Sequence, residues 1–81
     1  MQTVWRTPVH LNVAESGTVS VAGPREALDY LTTIWPEQTS ELFVDTKAAC
    51  MEALEGVIDG EACRHIFVAA GREAGMISLS D

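Results

Sequence analysis

Hydrophobic and polar positions change period twice along this chain, from two to 3.6 and back, and each period predicts a kind of element. From Trp5 to Val13, the residues Val9, Leu11 and Val13 alternate with polar neighbours, and Val19 and Val21 alternate again within Thr18 to Val21. Period two predicts two strands with their odd-numbered side chains on one face. Placing Val13 opposite Val19 and Leu11 opposite Val21 pairs Ala14 with Thr18. Glu15, Ser16 and Gly17 then form a three-residue loop, with glycine where a left-handed residue is needed. A two-residue Ser16-Gly17 turn would put Val13 opposite Ser20 and split the apolar face. Pro8 has no N–H for a ladder, so the first strand lies at an edge or begins after it.

Period 3.6 takes over at Gly23. Pro24 suits the first helical position, Gly23 the N-cap, and Glu26 the positive end of the helix dipole. Trp35 precedes Pro36 and is pushed out of the helical region, so the helix ends near Ile34. Ala27, Leu28, Leu31, Ile34 and Trp35 form its apolar stripe, with Glu26, Asp29 and Thr33 opposite. A second helix runs from Glu41 to about Glu55, capped by Thr39 or Ser40. Its stripe is Phe43, Cys50 and Leu54, flanked by Met51, with Glu41, Asp45, Glu52 and Glu55 opposite. Lys47 falls on that stripe by spacing and is read as laying its methylenes along the surface. Gly56 ends the helix, and Val57 and Ile58 are expected to be buried against its end. Asp59 caps a third helix, Gly60 to Ala74, closed by Gly75, with Ala62, Cys63, Ile66, Phe67, Ala70 and Ala74 inward. The tail from Met76 alternates again and could add a short third strand. The expected core includes Leu28, Leu31, Ile34, Leu54, Ile66 and Phe67. The fold class is α+β: an N-terminal hairpin followed by three helices.

Length confines this to one domain over residues 1–81, with one modest core. Apolar residues make up 47% of the chain, and no run approaches the roughly 20 residues that span a bilayer. The N-terminus shows no export signal and the two cysteines form no disulfide framework, so a cytoplasmic protein with inert, reduced thiols is expected. Twelve acidic against five basic residues give a formal charge of −7, which disfavours nucleic acid and anionic membranes as partners.

The residues WRTPV, GPREALDYLTTIWP, AACMEALEG and ACRHIFVAAGREAG together resemble the family known as domain of unknown function 982, over almost the whole chain. The matching positions are Ala27, Leu28, Trp35, Pro36, Cys50, Glu55, Gly56 and Arg64, with Cys63 where alanine usually precedes the arginine. The resemblance implies small single-domain bacterial proteins without assigned activity, so it brings no catalytic residue or cofactor.

The chemistry-bearing residues offer little beyond this. Cys50, Cys63 and His65 match no zinc spacing, and residues two apart on a helix cannot share an ion. His10 and His65 sit on outward positions without a paired nucleophile, and Glu52 and Glu55 lie on a solvated face, so no catalytic role or metal is assigned. One surface stands out: Arg64, Val68 and Arg72, with His65 beside them, form a basic and partly apolar stripe on the third helix. A solvated face with a Glu61–His65 pair worth about 0.2 to 0.5 kcal/mol accounts for the same residues. The functional expectation is a non-enzymatic protein-interaction module, a homodimer among its forms, contacting its partner through the hairpin edge or that stripe. The alternative is a small-ligand or nucleic-acid-linked regulator using the same arginines.

Overall fold

The structure, a computed structural model, describes residues 4–13, 17–35 and 38–77. In order it has strands β1 (Val9–Val13) and β2 (Gly17–Val21), then helices α1 (Pro24–Thr33), α2 (Glu41–Leu54) and α3 (Gly60–Glu73). This is the expected α+β arrangement, and among the described residues the sheet has two strands. The suggested third strand falls largely on residues 78–81, outside the described residues.

The hairpin register differs from the expected one by two residues. Val9 pairs with Val21, Leu11 with Val19 and Val13 with Gly17, so residues 14–16 connect the strands and Gly17 opens β2 at φ +79°. A period-two pattern cannot distinguish registers two apart, because both keep the same side chains on the same face. Packing decides: the expected register sets Val9 against Gly23, whereas the observed one sets it against Val21 and buries Val9, Leu11 and Val21 together. The first strand begins after Pro8, as its missing N–H requires. Trp5 still reaches the hairpin, donating its N–H to Ala22 O at 2.7 Å.

The helix ends fall where their sequence signals put them, although Asp59, the N-cap position of α3, makes no side-chain capping bond. Gly23 is the extended N-cap of α1 and Pro24 its first residue, while Glu26 Oε1 accepts the Ala22 N–H at 2.8 Å. Ser40 Oγ accepts the Phe43 N–H at 3.0 Å and donates to Glu73 Oε1 at 2.9 Å, tying the start of α2 to the end of α3. Both later helices end in a left-handed glycine, Gly56 at φ +80° and Gly75 at φ +75°. In each, a 6→1 backbone bond closes the turn: Val57 N–H to Glu52 O, and Met76 N–H to Gly71 O, both 2.8 Å. After α2 the residue following the glycine is not buried as expected: Val57 is 67% exposed and Ile58 half-buried. After α3 the same motif turns the chain inward, where Met76 and Ile77 are buried and Met76 O accepts the Asn12 N–H at 2.7 Å.

The core is organised by Phe67. Its ring lies 5.5 Å from Trp5 and 5.4 Å from Trp35, tilted by 44° and 45°, so the N-terminal segment and the end of α1 meet on α3. Leu31 is fully buried, while Leu28, Ile34, Leu54 and Ile66 are only partly so. On α2 the inward face is Phe43, Thr46, Ala49, Cys50 and Ala53. Thr46 can be buried there because its hydroxyl donates to Leu42 O at 2.6 Å. Lys47 is exposed and Met51 is 49% exposed, so the stripe lies rotated from the one its larger apolar residues suggested. On α3, Ala62 is exposed and Gly71 buried. A Cβ at Gly71 would stand 2.8 Å from Ile77 Cγ1, with Cδ1 closer still, so the absent side chain is the space Ile77 occupies.

Two outcomes test this core by urea unfolding. Phe67→Ala is expected to cost about 3–5 kcal/mol, a large share of the stability of a domain this size. Trp5→Phe is expected to cost far less. It keeps a ring against Phe67 and removes Trp5 Nε1, a buried donor with no hydrogen-bond partner among the described residues. Gly71→Ala should destabilise by about 1–3 kcal/mol through the clash with Ile77, and Gly71→Ala with Ile77→Ala should recover part of it.

Candidate functional site

The site grows from the way the N-terminal segment is fastened to α3. Arg6 N–H donates to Glu61 Oε2 at 3.0 Å, and Arg64 Nε donates to Thr7 O at 2.8 Å. Glu61 and Arg64 stand three apart on α3, hence on one side of it, and they hold two successive residues of the approaching chain. The expected Glu61–His65 pair gives way to the Glu61–Arg6 bond. Between this segment, β1 and α3 a cleft of about 330 Å³ opens.

Arg64, Val68 and Arg72 follow one another along the α3 wall of that cleft at four-residue intervals. Pro8, Val9 and His10 form the opposite wall, and Ile77 contributes from the C-terminal return. Three of the four residues singled out from sequence thus come together, not on an open helix back but inside a concavity. His65 does not join them: it is exposed and absent from the cleft lining. Histidine is supplied instead by His10 of β1, which sequence reasoning had assigned only to the outward face of a strand. Its alternation predicted exposure correctly. Which helix it faces depends on how the hairpin packs on α3.

Arg64 is half-buried and plays two parts. Its Nε bond to Thr7 O uses one of five guanidinium donors and orients the plane, which leaves the Nη groups for other partners. Arg72 is exposed at the far end of the cleft, about 12 Å away along the axis for two helical turns. The arrangement has positive charge at both ends and apolar side chains, Val68, Val9 and Ile77, between them. Such a surface can receive an anionic group that carries apolar substituents.

Two further observations bear on chemistry. Cys50 and Cys63, expected to be unrelated core thiols, meet with their sulfurs 3.0 Å apart. Sequence spacing gave no sign of this, because it depends on how α2 and α3 are rotated against each other. Among the described residues, no three His, Cys, Asp or Glu side chains gather in a way that could hold a metal ion. Nor is any helix long and apolar enough to cross a membrane.

A hairpin, three capped helices and a C-terminal return onto β1 define a small α+β domain built around one side of α3. The chain belongs to the family described as protein of unknown function (DUF982), which residues 7–78 match. It is similar to the Agrobacterium tumefaciens protein Atu1219, solved by NMR, at 29% sequence identity and a TM-score of 0.80 over 94% of this chain and 76% of that one. Among curated proteins nothing matches.

Because Arg64 fastens Thr7, its replacement has a structural effect that a solvated arginine would not show. Arg64→Ala is expected to lower unfolding stability by about 1 kcal/mol, and Arg64→Lys to retain only part of the wild-type value. Urea midpoints indistinguishable among all three proteins would mean that the Thr7 O bond contributes nothing.

Proposed function

We propose that this domain is a non-enzymatic protein-interaction module whose cleft between β1 and α3 takes an acidic segment of a protein partner. The observation that carries the reading is the concentration of positive charge. In a chain of net charge −7, two of the five basic side chains, Arg64 and Arg72, stand on one wall of a single cleft. Charge complementarity then selects an anionic partner and repels most other acidic surfaces less strongly at this point than elsewhere. The two-turn separation of Arg64 and Arg72 suits carboxylates spaced along a segment better than a single anion. Pro8 and Val68, which keep exposed apolar surface on the two walls, offer seats for that segment's apolar side chains.

A second reading, a small anionic ligand, is favoured by the enclosed volume, which lies at the lower end of small-molecule sites. Nucleic-acid binding is opposed by the net charge. A second copy of this chain is a protein partner of the right kind. The outward face of α2 carries Val44 and Met51, 55% and 49% exposed, among Glu41, Asp45 and Glu52.

The test uses Arg72→Glu and His10→Glu, leaving Arg64 in place because it fastens Thr7. Proteins retained by the immobilised domain from an extract of its source cells are identified, and the contact is measured again with the purified partner. Arg72→Glu reverses a charge and His10→Glu adds a negative one to the cleft wall, and each is expected to weaken that contact about tenfold or more, equivalent to about 1.4 kcal/mol, with circular dichroism unchanged. Moderate weakening by salt fits the acidic segment, whereas a steep logarithmic salt slope would indicate phosphate backbone. Sedimentation that rises with concentration would identify the second copy. Shifts of Arg72 and Val68 resonances with inorganic phosphate or short dicarboxylates, and no retained protein, would favour the small ligand.

A further inference from the structure

Cys50 and Cys63 face each other across the packed inner sides of α2 and α3, both fully buried, with Sγ–Sγ 3.0 Å. A disulfide has an S–S length of about 2.05 Å, so the sulfurs need to approach by only about one ångström. Twelve residues, 51 to 62, separate them, and the helical hairpin already closes that loop. Packing alone does not require two sulfurs to meet here. Other buried positions on the two helices, Ala49 and Ala53 on α2 and Ala70 on α3, carry small inert side chains.

We propose that Cys50 and Cys63 form an oxidative modification site, at which a hydroperoxide converts the two thiols into an intramolecular disulfide joining α2 to α3. This inference stands apart from the cleft. Burial selects the oxidant: a disulfide such as oxidised glutathione has to bring a bulky sulfur into line with the attacking one, whereas a hydroperoxide is small enough to follow a transient opening. The two sulfurs are not equivalent. The hydrogen bond with Cys63 and then burial push the Cys50 thiol up, while the hydrogen bond with Cys50 lowers Cys63 against the opposing effect of burial. Cys63 therefore supplies the nucleophile.

The chemistry balances without another reagent. The Cys63 thiolate attacks one peroxide oxygen, the O–O bond breaks, and the departing hydroxide or alkoxide takes a proton, which leaves a sulfenic acid on Cys63. The Cys50 sulfur then attacks the Cys63 sulfur. The S–S bond forms, the S–O bond breaks, and water leaves with the Cys50 proton. Two thiols have lost two electrons, and hydrogen peroxide has become two waters.

The test treats the folded, reduced protein with hydrogen peroxide, then denatures it, alkylates free thiols and maps the peptides. Both cysteines are expected to become unavailable together, to remain linked within one chain, and to be released by dithiothreitol. In Cys50→Ser, which removes the resolving sulfur, dimedone is expected to capture a sulfenic acid on Cys63. The proposal is overturned if both cysteines alkylate as fully as in untreated protein, if one is driven to sulfinic acid while the other stays a thiol, or if the link forms between chains.

Discussion

Phe67 between Trp5 and Trp35 is the contact on which the rest of the molecule depends. The three rings come from the N-terminal segment, the end of α1 and the middle of α3, so their burial brings three distant parts of the chain together. A domain of this length has little apolar surface to spare, and three large rings meeting at one point supply an outsized part of what folding removes from water. The tilted packing of the pairs is the arrangement aromatic quadrupoles favour. With Trp5 held there, Arg6 and Thr7 must run along α3, and the bonds to Glu61 and Arg64 follow from that path.

The cleft is a by-product of the same constraint. The N-terminal segment crosses α3 near its start, and β1 then turns toward the far end of the helix, where Ile77 lies against Gly71. The wedge between them is lined on the helix by every fourth residue, and those residues are Arg64, Val68 and Arg72. Arginine suits the place because one side chain can bond a main-chain carbonyl through Nε and still present a cationic face. The dithiol lies on a different side of α3, toward α2, so one helix serves the core, the cleft and the cysteine pair with different faces.

Much of the local structure was legible from single residues. Pro24 and Gly23 started α1, Trp35-Pro36 ended it, Ser40 capped α2, and Gly56 and Gly75 closed the later helices, because each signal acts within one turn of backbone. Patterns of size misled where burial is shared among small side chains. On α2 the buried face beyond Phe43 is Thr46, Ala49, Cys50 and Ala53, while Met51 and Lys47 point to solvent, since close helix packing there favours small residues over hydrophobic bulk. Gly71 gave no signal at all, because its role is an empty volume that a distant residue fills.

By itself, then, the sequence determined the order of elements, their ends, the face of each strand and the α+β class, all of which rest on periodicity and on bonds between near neighbours. Tertiary structure alone decided the hairpin register, since a shift of two residues preserves every inward side chain and changes only which of them face one another, with Val9 meeting Val21. It also decided that His10 rather than His65 joins Arg64 and Arg72, and that Cys50 meets Cys63. These outcomes turn on how helices and strands are rotated about their own axes, and that rotation is set by the joint packing of Phe67, the two tryptophans and the alanine-rich faces of α2 and α3.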